Sequence, residues 1–251
     1  MRIEGLLLDV DGVLYQGDAA IPGAPEALRR LRKAGMAFRL ITNTTRTPKA
    51  ALLDKLARLG LDVGEDELVT TAEIARAVIL RDGAKPYLLV HEDLKIDCPP
   101  EADRPDSVLL GDAADGFTFE RLNKAFRILI GGGRFYALAR NRYFRTAAGL
   151  ELDAGPFVAA LEYASGVEAR VLGKPDPNFF HAAADSAGLA PATTLMVGDD
   201  IEADVEGAIG TGFQAALVRT GKFRQADEAR AHRAGARVYP SIVEAVDDVL
   251  I

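Results

Sequence analysis

The chain has 251 residues, of which 49% are hydrophobic and 27% charged, and its formal net charge is −7. These values predict a globular protein with one large domain or two smaller ones. The negative charge argues against nonspecific binding to nucleic acid or to an anionic membrane, because both need a basic surface. The single cysteine, Cys98, precludes an internal disulfide, so we expect a cytoplasmic protein. Apolar runs are too short for a membrane helix or a signal peptide, and we expect neither.

A buried strand is predicted over residues 5–8, and it ends in two acidic residues, Asp9 and Asp11. Side chains of a strand alternate between its faces, so these two carboxylates project to the same side. Acidic side chains are rarely buried without a partner, and two like charges repel unless a cation or a shared proton relieves them. The pair therefore predicts a metal site, a catalytic site, or both.

The rest of the amino-terminal part alternates helices with strands. Apolar residues at helical spacing predict helices over residues 22–34 and 48–59. Apolar runs predict strands over 37–41 and 68–70, and the first of these is followed by Thr42-Asn43. A second polar cluster therefore follows a strand end.

The carboxyl-terminal part has the same order of elements. Helices are predicted over residues 177–187 and 201–209, and strands over 194–198 and 214–218. Asp199 directly follows the strand that ends at residue 198. Strands that alternate with helices predict a parallel sheet covered on both faces, and ligands of such sheets bind beyond the carboxyl ends of the strands.

The middle of the chain predicts a second, smaller α/β unit. Apolar runs predict three strands, over residues 87–91, 107–110 and 135–139. We predict that residues 75–167 form this unit, and that it is inserted into a larger domain formed by residues 1–74 and 168–251.

Four short motifs occur in a fixed order along the chain. They are Asp9-Val10-Asp11-Gly12, Thr42-Asn43, Gly173-Lys174-Pro175, and Gly198-Asp199-Asp200 with Asp204. This set resembles the motifs of the haloacid dehalogenase superfamily, and the resemblance implies a Rossmann-like parallel-sheet core with a large inserted α/β cap. The stretches 149–157 and 220–224 most resemble the phospholysine, phosphohistidine and inorganic pyrophosphate phosphatases of that superfamily.

The resemblance implies a phosphotransfer site that contains Mg²⁺. A phosphate ester is an anion, so an anionic nucleophile needs a cation beside it, and Mg²⁺ suits carboxylate oxygens. Asp9 is predicted to be the nucleophile and to form an aspartyl-phosphate, and Asp11 to be the general acid and then the general base. Asp9, Asp199 and the backbone carbonyl of Asp11 are the implied metal ligands.

Other motif residues are predicted to bind the phosphoryl group or to support the site. Thr42 and the backbone amide of Asn43 would donate hydrogen bonds to phosphoryl oxygens, and Lys174 would neutralise negative charge. Asp200 and Asp204 would orient Lys174 or a metal-bound water. The alternative is that both are acids at a helix start, favoured by the helix dipole.

Two residues of the predicted cap, Asn141 and Arg142, follow its third strand. One interpretation is that they contact the leaving group of an anionic substrate, and the other is that they form an exposed strand end. The resemblance also implies a homodimer formed through the cap.

The predicted function is a Mg²⁺-dependent phosphatase for a small phosphorylated molecule. Asp11 favours this over dehalogenation, because an alkoxide leaving group needs a proton and a halide does not. Hydrolysis of phosphohistidine, phospholysine or inorganic pyrophosphate is the alternative within the class. Two alternatives from other classes are a phosphorylation-dependent switch and a catalytically inactive binding protein.

Overall fold

The computed structural model describes residues 2–146 and 149–251, without the side chains of Arg145 and Thr146. The strands are β1 (Gly5–Asp9), β2 (Tyr15–Gln16), β3 (Ala19–Ala20), β4 (Ala37–Thr42), β5 (Leu68–Thr70), β6 (Pro86–Leu89), β7 (Ser107–Leu110), β8 (Arg134–Ala137), β9 (Tyr143–Thr146), β10 (Gly149–Leu152), β11 (Arg170–Val171), β12 (Thr194–Gly198), β13 (Gln214–Val218) and β14 (Arg237–Tyr239). The α-helices are α1 (Ala24–Lys33), α2 (Lys49–Arg58), α3 (Thr71–Arg81), α4 (Phe119–Ile130), α5 (Ala154–Ser165), α6 (Pro177–Asp185), α7 (Gly207–Ile209), α8 (Gln225–Arg233) and α9 (Ile242–Val249).

The described chain divides into two compact units. The first contains the residues up to Thr42 together with Ala50–Val69 and Lys174–Ile251. The second contains Asn43–Lys49 and Thr70–Gly173. No helix among the described residues combines the length and the apolar character needed to cross a membrane.

The first unit is built on a six-stranded sheet with the order β14-β13-β12-β1-β4-β5. Strand β1 lies between β12 and β4 and pairs with both in parallel. All five residues of β1 are buried, as is typical of a strand covered by helices on both faces of a parallel sheet. The predicted parallel-sheet α/β fold is confirmed.

Helix α1 shows how the sequence pattern produces this packing. Its apolar residues Ala24, Ala27, Leu28 and Leu31 are buried, and they recur at the three- and four-residue spacing of one helix face. All four join the main core cluster with β1. Burying one leucine side chain contributes about 1.5–3 kcal/mol, so this face helps to hold the helix against the sheet.

The segment after β12 differs from the regular helix predicted over residues 201–209. Residues Ile201–Glu206 form a π-helical turn, which continues as α7. The turn widens because the carbonyl of Asp200 accepts hydrogen bonds from two N–H groups, those of Asp204 at 3.0 Å and Val205 at 3.3 Å. Such turns occur frequently at functional sites.

The second unit has its own sheet, with the order β11-β8-β7-β6 and parallel pairing throughout. Leu88 and Leu109 pack into one hydrophobic cluster, whereas Leu89 and Leu110 pack into another. Neighbouring residues of a strand point to opposite faces, so this sheet is buried on both sides. A separate antiparallel pair joins β9 to β10.

Candidate active site

The carboxyl ends of neighbouring strands bring two acidic residues together in the first unit. Asp9 is the last residue of β1, and Asp199 directly follows β12. The two strands are paired in parallel, with Leu8 opposite Val197. Asp9 is 7% exposed and Asp199 is 1% exposed. Two carboxylates are therefore buried side by side, at the sheet edge where the sequence predicts a site.

The side chain of Lys174 reaches into this cluster. Its Nζ lies 2.6 Å from Asp9 Oδ1 and 2.7 Å from Asp204 Oδ1, and the residue is only 3% exposed. Burial alone would lower the pKa of Lys174, but the charges of Asp204 and Asp9 outweigh it and raise the pKa. Lys174 therefore stays protonated and holds a positive charge between two carboxylates.

Asp204 lies on the π-helical turn and is fully buried. One of its oxygens contacts Lys174, and the other accepts a hydrogen bond from the N–H of Asp200 at 3.1 Å. Oxygens of Asp9, Asp199 and Asp204 lie within 4.8 Å of one another. Because both oxygens of Asp204 already have partners, its contacts are those of a group that orients Lys174.

One carboxylate oxygen of Asp199 is held by a hydrogen bond. Its Oδ2 accepts a hydrogen bond from the N–H of Lys222 at 2.6 Å, whereas its buried Oδ1 has no hydrogen-bond partner among the described residues. Burial, followed by the charges of Asp9 and Asp204, raises the pKa of Asp199. A buried carboxylate oxygen without a partner is costly, and a hard divalent cation that takes oxygen ligands satisfies it. The donor set therefore fits a metal such as Mg²⁺.

Asp11 lies just beyond β1 and is exposed as a residue, although its carboxyl group loses part of its solvent to the surrounding protein. That desolvation, followed by the charge of Asp9, raises the pKa of Asp11, and Lys222 and Lys55 oppose the shift. A carboxyl group with a raised pKa keeps its proton to higher pH. This property suits a proton donor that stands beside an ionised neighbour.

Thr42 and Asp200 complete the predicted residues of the first unit. Thr42 is buried at the end of β4, which pairs with β1 so that Asp9 lies opposite Ile41. Asp200 Oδ1 accepts hydrogen bonds from the N–H groups of Glu202 and Ala203, both at 3.0 Å. The contacts of Asp200 are those of a helix N-cap.

Three predicted site residues belong to the second unit: Asn43, Asn141 and Arg142. Asn141 is half-buried and Arg142 is exposed. The carbonyl of Asn141 accepts a hydrogen bond from the N–H of Gly155 at 2.9 Å, and that of Arg142 accepts one from Asp153 at 3.3 Å. The start of α5 therefore fixes the backbone that carries both side chains.

Comparison with known proteins identifies the family. A haloacid dehalogenase-like hydrolase model matches residues 6–98, and a HAD-hydrolase-like model matches residues 171–245. Phospholysine phosphohistidine inorganic pyrophosphate phosphatase from Bos taurus is 39% identical, over 99% of this chain and 94% of the relative. The chain belongs to the haloacid dehalogenase-like hydrolases.

Solved structures share the fold of this hydrolase. The 4-nitrophenylphosphatase of Thermotoga maritima is 29% identical, with a TM-score of 0.89 over 98% of this chain and 97% of that chain. A glycerol phosphate phosphatase from Mycobacterium tuberculosis, solved in complex with magnesium, is 26% identical, with a TM-score of 0.85 over 96% of this chain and 76% of that one. The predicted superfamily is confirmed, and the predicted phosphatase class agrees with the names of these proteins.

Sequence reasoning missed one group at the site of this haloacid dehalogenase-like hydrolase, the backbone N–H of Lys222. Residues 220–224 carried part of the family resemblance, but no role was predicted for them. The available signal was position, because this segment follows β13, and β13 pairs in parallel with β12 beside Asp199. The end of β13 therefore lies at the same sheet edge as the ends of β12 and β1.

Proposed function

We propose that this chain is a Mg²⁺-dependent phosphatase that hydrolyses a small phosphorylated molecule through an aspartyl-phosphate intermediate. The observation that carries the proposal is the buried pair of Lys174 and Asp9 beside Asp199, whose Oδ1 has no hydrogen-bond partner in the described part of the chain. A nucleophilic carboxylate, a fixed positive charge and a free metal-ligand oxygen are the groups that phosphoryl transfer needs.

Two steps follow from these residues. In the first, a carboxylate oxygen of Asp9 attacks phosphorus in line, the bond from phosphorus to the leaving oxygen breaks, and Asp11 gives its proton to that oxygen. In the second, Asp11 takes a proton from a water that attacks the same phosphorus. The bond between phosphorus and Asp9 then breaks, which releases inorganic phosphate and regenerates the Asp9 carboxylate.

Fixed charges stabilise both transition states. Lys174 holds a positive charge beside Asp9, where the transferring phosphoryl group would lie, and Thr42 would donate a hydrogen bond to a phosphoryl oxygen. Asp9, Asp199 and the backbone carbonyl of Asp11 would hold Mg²⁺, which when bound neutralises charge on the phosphoryl group. Asp204 keeps Lys174 in place through its contact at 2.7 Å.

We assign the second unit as a cap that selects the substrate. Its core lies in the range 75–167, and it would also form a homodimer. Arg142 is exposed there, and its guanidinium would attract an anionic leaving group. Replacing Arg142 with Ala should raise KM for phosphate esters with an anionic leaving group more than for those with a neutral leaving group. Arg104→Ala, at another exposed position of the same unit, is the control, and equal profiles for both variants would remove the role of Arg142.

We assign this enzyme to the cytoplasm. Cys98 is the only cysteine and it is buried. Burial, followed by the charge of Asp97, raises the pKa of Cys98 to about 12. A buried thiol that stays protonated suits a reducing environment, in which no disulfide is needed for stability.

A second candidate function is hydrolysis of phosphohistidine, phospholysine or inorganic pyrophosphate. The relative from Bos taurus, which is 39% identical, carries these substrates in its name. Asp9 as nucleophile and Asp11 as general acid would serve this chemistry as well, because an amine or a phosphate leaving group also takes a proton. Comparing kcat/KM for phosphohistidine, pyrophosphate and a panel of phosphorylated metabolites separates the two candidates.

Turnover of an aryl phosphate, measured with and without Mg²⁺, tests whether the chain is a metal-dependent phosphatase. We expect metal-dependent turnover that Asp9→Asn abolishes and Asp18→Asn, at an exposed acid of the same segment, leaves unchanged. Stable phosphorylation without turnover would instead indicate a phosphorylation-dependent switch. Absence of both phosphorylation and turnover would indicate a binding protein.

A further inference from the structure

Asp199 is enclosed on the side of its Oδ2 by two loops of the first unit. One loop contains Gly12 and follows β1, and the other contains Thr220 and Gly221 and follows β13. The hydroxyl of Thr220 donates a hydrogen bond to the carbonyl of Gly12, and the N–H of Lys222 donates to Asp199 Oδ2 at 2.6 Å. Three chain segments therefore meet at one carboxylate oxygen.

Both glycines are required for this close approach. A Cβ at Gly12 or at Gly221 would overlap Asp199 Oδ2, and one at Gly221 would also press on the Cα of Gly12. Their φ angles are +85° and +62°, in the left-handed region that favours glycine. The backbone at these positions is thus shaped around the carboxylate.

We propose that the segment 220–222 is a positioning device for Asp199, which fixes Oδ2 through the N–H of Lys222 and so presents Oδ1 to the divalent cation. This inference rests on the proposed function, because it assigns Oδ1 to a metal. Oδ1 is buried and has no hydrogen-bond partner among the described residues. The hydrogen bond to Oδ2 and the close packing of Gly12 and Gly221 against it restrict rotation of the carboxylate, so Oδ1 keeps its place in the cluster with Asp9 and Asp204.

The side chain of Lys222 has a different effect from its backbone. Its Nζ lies 3.4 Å from Asp200 Oδ2, and the side chain is 62% exposed. A positive charge near a cation site weakens cation binding, whereas the backbone N–H strengthens it by orienting the ligand. Removing the side-chain charge of Lys222 should therefore strengthen cation binding, whereas displacing its backbone N–H should weaken cation binding.

The experiment is titration of the full chain with Mn²⁺, followed by electron paramagnetic resonance, with Mg²⁺ as competitor. Mn²⁺ takes the same oxygen ligands as Mg²⁺. Gly221→Ala should weaken Mn²⁺ binding about 10-fold or more, as is typical when a group that orients a metal ligand is lost. Lys222→Met keeps the N–H and should bind Mn²⁺ as tightly as the wild type or more tightly.

Gly188→Ala is the matched control. Gly188 has a φ of +67° with no atom within 4 Å of an added Cβ, so this variant introduces the same backbone strain away from the site. It should keep wild-type affinity. Equal affinity of Gly221→Ala and Gly188→Ala for Mn²⁺ would overturn the inference, as would an equal loss in Lys222→Met and Gly221→Ala.

A second pair of variants decides the question if Gly221→Ala does not fold. Thr220→Val removes the hydroxyl that bonds to Gly12, and Thr220→Ser keeps it. We expect weaker Mn²⁺ binding in Thr220→Val and wild-type affinity in Thr220→Ser, and equal affinity in both would overturn the inference. Absence of Mn²⁺ binding in the wild type would overturn the proposed metal dependence as well, which distinguishes the two failures.

Discussion

Lys174 Nζ lies 2.6 Å from Asp9 Oδ1, and both side chains are buried. The two residues are 165 positions apart in the sequence, so the fold alone brings them together. A buried ion pair contributes little net stability, because desolvation offsets the attraction. The presence of this pair at a strand end is explained by the chemistry that we propose for Asp9.

Replacing Lys174 with Met should destabilise the protein as well as abolish turnover. The change leaves the carboxylates of Asp9 and Asp204 buried without their cation, which typically costs about 3–5 kcal/mol. The free energy of unfolding, measured by urea denaturation at neutral pH without divalent cations, tests this. Lys33→Met, at an exposed position of α1, should change it by less than about 0.5 kcal/mol. A loss in Lys174→Met as small as that would contradict the assigned pairing.

Replacing Asp11 with Asn should slow hydrolysis most for substrates with poor leaving groups. The variant cannot donate a proton, and general acid catalysis contributes about 10²–10⁴-fold. An alkyl phosphate should therefore lose more of its phosphorylation rate than 4-nitrophenyl phosphate, whose leaving group needs little protonation. Single-turnover rates for a series of phosphate esters measure the effect. Equal losses along the series would remove the acid role, and Asp18→Asn provides the control.

The ion pair between Arg32 and Glu67 should give the first unit an acid-sensitive contribution to stability. Arg32 Nη2 lies 2.6 Å from Glu67 Oε2, and Nε donates to Oε1 at 3.0 Å. Burial would raise the pKa of Glu67, but the hydrogen bonds from Arg32 and from the N–H of Gly64 outweigh it and lower the pKa. The folded state therefore binds the Glu67 proton more weakly than the unfolded state does.

It follows that this stabilisation is present above the ordinary glutamate pKa of about 4.3 and is lost as the pH falls through the lowered folded value. Glu67→Gln should lower the free energy of unfolding by about 1 kcal/mol at pH 7. The difference from wild type should shrink in acid, as measured by denaturation from pH 7 to 3. Glu65→Gln, at an exposed neighbour, should show no such pH dependence, and a constant difference for Glu67→Gln would contradict the linkage.

Much of the site could be predicted because it follows from strand ends. Asp9, Thr42 and Asp199 each end or follow a strand of one parallel sheet, and parallel strands place their carboxyl ends at one edge. Thr70 and Glu73 have the three-residue spacing of a capping box, and the structure contains this box at the start of α3. These features depend on local pattern and on a simple topological rule.

Other features depend on contacts between distant segments, which local patterns do not encode. The hydrogen bond from Lys222 to Asp199 requires the loop after β13 to fold back over Gly12. The π-helical turn arises from two N–H groups that share the carbonyl of Asp200, whereas the apolar spacing of residues 201–209 indicates only a helix. Neither arrangement leaves a periodic signal in the sequence.

The proposed reaction requires a covalent bond between Asp9 and phosphorus, and the Asp11→Asn variant tests this bond most directly. With Mg²⁺ present, this variant should form the aspartyl-phosphate from 4-nitrophenyl phosphate. It should hydrolyse the aspartyl-phosphate slowly, because Asp11, the base that activates water, is missing. Mass spectrometry of the acid-quenched, digested protein should find one phosphoryl group on Asp9, and none in the Asp9→Asn, Asp11→Asn double variant. Turnover with an unmodified Asp9, or a phosphoryl group on another residue, would contradict the account.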